Sequence, residues 1–384
     1  MLTLKHFVFL FIFFSVLLVS CRFEHQGNGE IEIIDLNELK NSNSSIGIEE
    51  RFELEDRVKL DFSTIFSKFP IAKRIYNDSL LLVKSNNRIF SMNKNDGSLV
   101  SMIARSGNGP EEFYSVFKEL DYFSRDDIFY ALKSPNEIIR YNKDKTTTVF
   151  NVPEVSNLKG MEKGIVTGMA ISPDKSITAY VMNMRGNEQY KLLTFDTTGS
   201  IIKKYVNHLS YIKKPGLFRF DAPIFHSYND QLYFKEPYND TIFKIKNQDL
   251  IPAYVFKSSQ LLPEYQDQDM LTKEEKENLV LITGIYQDND FLYFQFEYRN
   301  QKEFGLFSKS TGTTKFVRNT NSNSWLNGIV GAPMFMHEES LVYTLPHWLL
   351  LDLLSEEVLI NEFGDSFMEQ EQDPYLITLK KKAK

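Results

Sequence analysis

One cysteine occurs in 384 residues, at position 21. A lone thiol closes no intramolecular disulfide, so an exported form of this chain must hold together by core burial, which a chain of this length supplies. Tryptophan is almost as rare: Trp325 and Trp348 stand against 32 phenylalanines and 19 tyrosines. A carbohydrate platform of stacked indoles is limited to those two positions, whereas so many Phe and Tyr residues suit pleated, half-buried strands. Positive charge is in the minority, 44 Lys and Arg facing 51 Asp and Glu for a formal charge of -7. That balance argues against nucleic acid as partner, because such affinity comes mainly from cations neutralising phosphates. No Gly-x-Ser-x-Gly elbow nominates a serine nucleophile.

The longest unbroken apolar run lies at the N-terminus. After Lys5 the chain is apolar from Phe7 to Phe14 and again from Val16 to Val19, too short for a comfortable membrane span and shaped like an export signal. It ends in Leu18-Val19-Ser20-Cys21, the form of a bacterial lipobox, in which cleavage precedes the cysteine and lipid is attached to it. Residues 1–20 therefore read as a lipoprotein signal peptide, Cys21 as the lipid attachment site and residues 21–29 as a polar tether. The expected address is the bacterial cell envelope, at the outer membrane with the side left open, and the membrane is a partner through the anchor.

From residue 30 to 384 a unit recurs. An acidic or polar turn leads into a short aromatic or aliphatic strand at Asp78, Asp127, Lys175, Asp230, Asp290 and Glu339. The spacing is about 48 to 60 residues, the period of four-stranded blades. A second strand follows in each unit: Arg88 to Met92, Glu137 to Tyr141, Lys191 to Phe195, Thr241 to Ile245 and Phe304 to Phe307, with the apolar run Trp348 to Leu354 as the sixth. Asn95-Asp96-Gly97, Thr197 to Gly199 and Ser310 to Gly312 supply hairpin turns. The fold class expected is all-β: a six-bladed β-propeller of four-stranded antiparallel blades. Leu261 to Val280, charged and carrying Thr272 with Glu275 three residues on, reads as a short helical insertion between blades 4 and 5. For ring closure, one or both of Glu30 to Leu36 and Asp373 to Lys381 are expected to complete a shared blade.

With the lipobox, two further segments resemble the six-bladed, NHL/TolB-like β-propeller lipoproteins of Gram-negative gut anaerobes. They are Gly107-Asn108-Gly109-Pro110-Glu111-Glu112-Phe113, with Glu111 where that family usually has a third glycine, and Pro237 to Ile245 with Asp240-Thr241 at its centre. The resemblance implies the fold and names no ligand.

Ser106 to Phe113 is the most motif-like stretch, and it does not suit a phosphate. Pro110 removes an N–H, two carboxylates follow, and no Lys-Ser or Lys-Thr ending is present, which excludes a nucleotide. Gly107 and Gly109 instead allow a sharp turn between blades, Phe113 can plug the junction, and Glu111 or Glu112 can pair with Arg105. The histidines His25, His208, His226, His337 and His347 show no ligand spacing, so no metal or cofactor is expected, although distant residues meeting at the axis stay open. Arg105, Arg140, Arg219, Arg299 and His226 come from different units and are candidates to ring one channel mouth. Trp325, in a polar loop, is the candidate surface aromatic, and Trp348 reads as core. Two function classes remain. One is an envelope binding or scaffolding propeller for a protein or carbohydrate ligand. The other is a hydrolase or lyase acting on glycans or peptides at the axis, which rests on fold analogy alone.

Overall fold

The computed structural model describes residues 31–40, 45–61, 70–75, 79–85, 88–113, 120–123, 128–134, 136–142, 146–155, 164–183, 186–210, 223–259, 272, 274, 277–299, 301–317, 325–330, 334–337, 339–368 and 373–382. Three strands precede the first repeat: β1 (Glu32–Asp35), β2 (Ser45–Ile46) and β3 (Phe52–Lys59). Blade 1 holds β4 (Pro70–Ile75), β5 (Leu80–Ser85), β6 (Arg88–Asn93) and β7 (Leu99–Arg105). Blade 2 holds β8 (Leu120–Phe123), β9 (Ile128–Ser134), β10 (Glu137–Tyr141) and β11 (Thr147–Asn151). Blade 3 holds β12 (Ile165–Ile171), β13 (Ile177–Met182), β14 (Tyr190–Phe195) and β15 (Ile201–Val206). Blade 4 holds β16 (Ile224–Tyr228), β17 (Gln231–Lys235), β18 (Thr241–Lys246) and β19 (Asp249–Lys257). Blade 5 holds β20 (Val280–Gln287), β21 (Phe291–Tyr298), β22 (Gln301–Ser308) and β23 (Thr314–Val317). Blade 6 holds β24 (Met334–His337), β25 (Ser340–Leu345) and β26 (Tyr375–Lys381), with β3 as its fourth strand. The protein is a six-bladed β-propeller.

The second strand of each blade explains the continuous apolar runs. Its residues alternate between the two sheet faces, and both faces are buried against neighbouring blades. Leu81 and Val83 pack into the junction with blade 6, whereas Leu82 packs into that with blade 2. Ile177, Ala179 and Val181 face blade 2, and Tyr180 and Met182 face blade 4. Leu292, Phe294 and Phe296 face blade 4, and Phe291 and Tyr293 face blade 6. Each of the six blade junctions thus carries its own cluster of buried side chains among the described residues. First strands of successive blades approach one another, β8 with β12, β12 with β16 and β16 with β20, so they surround the axis.

The repeat's polar residues make its turns. Asn229 and Asp230 both have positive φ, 49° and 55°, in the two-residue connection from β16 to β17, the condition for a type I′ hairpin. Aspartate side chains cap other turns: Asp96 Oδ1 accepts from Ser98 N and Oγ, and Asp174 Oδ1 accepts from Ser176 N and Oγ. Gly97, at φ +73°, is tied to its site twice over, since a Cβ there would lie 1.9 Å from the Lys59 carbonyl oxygen.

One expectation needs correction. Trp348 to Leu354 is not the second strand of the sixth unit: His347–Leu353 is a helix, α1, and Glu356–Phe363 is a second, α2. A run of leucines has no strand period and no β-branching, and Pro346 starts the helix, while the Ser355 hydroxyl accepts from Val358 N to cap α2. The strand expected there is β26, which lies beyond both helices. Ring closure uses one of the two terminal segments expected to complete a shared blade. Asp373 to Lys381 does supply a blade strand, but its N-terminal partner is β3, antiparallel to it, rather than Glu30 to Leu36. The latter forms β1, added parallel to the outer edge of β19 in blade 4, and β2 is added parallel to β23 in blade 5. The N-terminal segment therefore runs as a strap across the outer edges of blades 4, 5 and 6. Of Leu261 to Val280 only 272, 274 and 277–280 are described, with one helical hydrogen bond from Asn278 N to Glu274 O; the rest lies outside the described residues.

Candidate functional site

β7 is the outer strand of blade 1, and its pairing with β6 shifts register between Ile89 and Phe90 and between Ser91 and Met92. Such bulges bend an edge strand and re-aim its side chains. Val100 and Met102 are left 53% and 51% exposed. The chain then folds back through Ser106 to Phe113: Phe113 N donates to Arg105 O at 3.1 Å, and Gly107 N donates to Phe113 O at 3.1 Å. Inside that loop Glu112 Oε1 meets Arg105 Nε at 2.7 Å, and Glu112 Oε2 accepts from Gly109 N at 2.7 Å. Gly107 is required by this carboxylate, because a Cβ there would stand 1.9 Å from Oε2. Phe113 is buried in the junction of blades 1 and 2.

Blade 2 holds the loop from the other side. Lys133 Nζ donates to Pro110 O at 3.1 Å, and the Tyr141 hydroxyl donates to Glu111 O at 3.0 Å. Burial, followed by the carboxylates of Glu111 and Glu112, pushes the Tyr141 phenol well above its ordinary range, so it stays a donor. Where the two blades diverge, the loop borders a cleft of about 710 Å³ lined by Val100, Met102, Phe129, Arg105, Glu111 and Tyr141, among others. Its wall is apolar with a few polar groups at one end, a composition and size usual for ligand clefts. The Arg105 side chain is 68% exposed, and Arg105 and Glu111 both line that space.

The described members of the candidate cation ring lie on different strands and turns. Arg105 ends an outer strand, and Arg140 lies on the third strand of blade 2 with Nη2 3.4 Å from Thr148 Oγ1. Arg299 sits in the turn after β21 with its guanidinium 5.2 Å from the Tyr298 ring. Arg219 and Cys21 lie outside the described residues. His226 alone is on a first strand. It stacks on Tyr233 at 4.8 Å and contacts Gln287 Nε2 through its own Nε2, while its buried Nδ1 has no hydrogen-bond partner among the described residues. Burial first, and Lys309 second, hold the imidazole at about 3, hence neutral. Asp240 and Thr241 build the turn before β18, where Thr241 Oγ1 donates to Asp240 Oδ1 at 2.8 Å and Phe256 N donates to Asp240 O at 2.9 Å.

The two tryptophans exchange roles. Trp325 packs against the blade 5–6 junction and lies edge-on to Phe363 at 5.9 Å, whereas Trp348 is 45% exposed on α1.

Two polar centres were not singled out in the sequence. Asp288, 3% exposed, accepts from Asp290 N, Phe291 N, Tyr293 OH and Lys381 Nζ, each at 2.7 Å. Lys381 also reaches Asp290 Oδ2 at 2.9 Å, so the end of β26 clasps the first turn of blade 5. At the junction of blades 3 and 4, Lys191 Nζ pairs with buried Glu236 Oε2 at 2.6 Å, beside the buried Lys235. A terminal lysine run reads as solvated, and nothing in its spacing marks Lys381 as different. Among the described residues no group of three His, Cys, Asp or Glu side chains is placed to hold a metal ion.

Residues 31–383 match a family described as a domain of unknown function, DUF4934. The chain belongs to that family. No curated protein matches the sequence. Among solved structures, the DUF4934 chain is similar to a protein described as exported, from Bacteroides fragilis NCTC 9343, with a TM-score of 0.63 and 14% identity over 92% of this chain and 100% of that one. At that identity the likeness shows the fold alone. Lower overlaps link the DUF4934 propeller to the WD40 repeats of RRP9, with a TM-score of 0.49 and 9% identity over 86% of this chain and 100% of that one. Another is a protein of unknown function from Bacteroides caccae, with a TM-score of 0.39 and 12% identity over 70% of this chain and 82% of that one.

Proposed function

We propose that the protein is a lipid-anchored binding propeller of the bacterial envelope, held by Cys21 at the outer membrane, whose ligand occupies the cleft between blades 1 and 2. The observation that carries this reading is the cleft of about 710 Å³ with exposed Val100 and Met102 on one wall and Arg105 and Glu111 at one end. Aliphatic walls favour a peptide with aliphatic side chains over a sugar, whose ring faces prefer aromatic platforms. Arg105 and Glu111 supply one donor and one acceptor to fix its direction. The anchor rests on the lipobox Leu18 to Cys21, and no helix of the described residues is long and apolar enough to cross a membrane. A propeller of the same fold is described as exported, which accords with that address.

Two measurements test the two halves. Labelling cells with radioactive palmitate should mark the parent protein and not Cys21→Ala; equal labelling removes the anchor. For the cleft, the probe is the amphipathic dye 8-anilinonaphthalene-1-sulfonate with the soluble domain from residue 22. Saturable binding that weakens at least tenfold in Met102→Asp supports the site, and unchanged binding in that variant refutes it.

A further inference from the structure

α1 carries apolar side chains that stay exposed to solvent. Leu350 points inward and is fully buried in the blade 5–6 junction. Trp348 and Leu351, three residues apart and so neighbours on the helix surface, remain 45% and 40% exposed. A helix apolar on every side belongs in an interior, and this one has an interior on one side only. His347 rests on the Phe367 ring at 4.3 Å with its Nε2 2.9 Å from Phe367 O, which brings Met368, 43% exposed, to the N-terminal end of α1. Leu353 adds a fourth exposed side chain at the other end, 38% exposed.

The charge around this patch is of one sign. From Pro346 to Pro374 the chain has eight Asp and Glu residues and no Lys or Arg. Glu362 and Asp373 are met by Arg57 and Lys59 of β3. Asp352, Glu356, Glu357 and Asp365 are exposed around the apolar side chains. An anionic lipid surface would be repelled by such a rim, and leucines do not stack on sugars. A contiguous apolar patch with a polar rim marks a protein contact.

We propose that the outward side of α1, with Met368, docks a basic, aliphatic-rich segment of a partner protein. Its leucine-like side chains cover Trp348 and Leu351, and its lysines or arginines meet Asp352, Glu356 and Glu357. This surface lies on blade 6, apart from the cleft of blades 1 and 2, and stands without that reading.

The test uses the soluble domain from residue 22 with Trp325→Phe, so that Trp348 is the single tryptophan and is excited selectively at the red edge of the indole band. The probe is a 14-residue amphipathic Leu/Lys peptide, compared with its Leu/Glu counterpart and with phosphatidylcholine vesicles. The proposal expects a saturable blue shift of Trp348 emission with the Leu/Lys peptide alone. The shift should weaken at least tenfold in Leu351→Asp and in the Glu356→Gln/Glu357→Gln pair. Glu53→Gln, an exposed carboxylate on β3, should leave it unchanged, and circular dichroism should show all variants folded. A shift with vesicles and none with peptide would reassign the patch to a lipid surface. Concentration-dependent emission without any addition would reassign it to a second copy. Equal binding of the Leu/Lys peptide in every variant, or none at all, would overturn the proposal.

Discussion

Replacing Asp288 by alanine should open the clasp between blades 5 and 6. Its carboxylate serves four donors, two backbone N–H groups, the Tyr293 hydroxyl and the Lys381 ammonium. Removing an acceptor from buried donors costs about 1–3 kcal/mol for each one left unmatched. Lys381 keeps Asp290 at 2.9 Å, and the Asp290 N–H belongs to a partly exposed turn, so two donors bear most of the loss. We expect about 3 kcal/mol, at the low end of what breaking a buried ion pair costs. At about 2.1 cal/mol/K per residue, a domain near 350 residues unfolds with about 0.7 kcal/mol/K, so Tm should fall by about 4 °C. Asp288→Asn keeps one oxygen for the backbone donors and should lose about half as much. Scanning calorimetry of the soluble domain reads both. A Tm for Asp288→Ala within 1 °C of the parent would refute the assignment of this carboxylate as the link that holds the ring shut.

Three further outcomes follow from the same kind of accounting. Gly107→Ala should dislodge the Glu112 carboxylate and lower stability by about 1–3 kcal/mol, and adding Glu112→Ala should cost little more; additive losses in that cycle would mean the two positions are independent. His226 is held at about 3 in the fold against 6.5 in the unfolded chain, so as pH falls below about 6.5 the unfolded state takes the proton first and stability is lost progressively down to about 3. His226→Gln should therefore lose less stability between pH 7 and 4.5 than the parent in urea titrations, and parallel losses would contradict the buried, neutral imidazole. Burial holds Lys235 at about 8, below its usual 10.5, so its charged form is penalised at every pH below about 8. Lys235→Met should stabilise by up to about 3 kcal/mol at pH 7, with the gain fading as pH rises from about 8 towards about 10.5, where the unfolded lysine too loses its proton; a destabilised variant at pH 7 would show that the hydrogen bond from Lys235 Nζ to Glu236 O, at 3.4 Å, outweighs the penalty of burial.

The parts of the fold that are legible in the sequence are those where one physical cause dominates. Lys175, Asp230, Asp290 and Glu339 recur because each closes the turn from a first strand to a second, and the second strand is apolar over most of its length because both its faces are covered. The fourth strands of blades 1 to 4 carry an exposed face or edge and blur into their loops. β3, Phe-Glu-Leu-Glu-Asp-Arg-Val-Lys, closes the ring yet is half charged, since as the outer strand it buries only Phe52 and Val58 deeply. Trp348 to Leu354 misleads for the opposite reason. A run apolar at nearly every position carries no period to separate strand from helix.

For the candidate site, Arg105, Gly107, Gly109, Glu112 and Phe113 could be named from the sequence because their interactions are local, within nine residues. The cleft beside them could not, because its wall is made by two bulges of β7 and by Phe129 and Tyr141 from another blade. The position of each candidate arginine was hidden for the same reason: repeat number says nothing of which strand within a blade, and hence which radius, a residue takes.

The most direct test of the central claim compares hydroxyl-radical labelling of the protein in its own cell envelope with labelling of the purified domain. Val100 and Met102, half exposed when the cleft is empty, should be protected in the envelope. Ile202, 42% exposed on the outer strand of blade 3, should label equally in both. Equal labelling of Val100 and Met102 in the two preparations would mean that nothing occupies the cleft where the protein works, and the binding function proposed for it would be wrong.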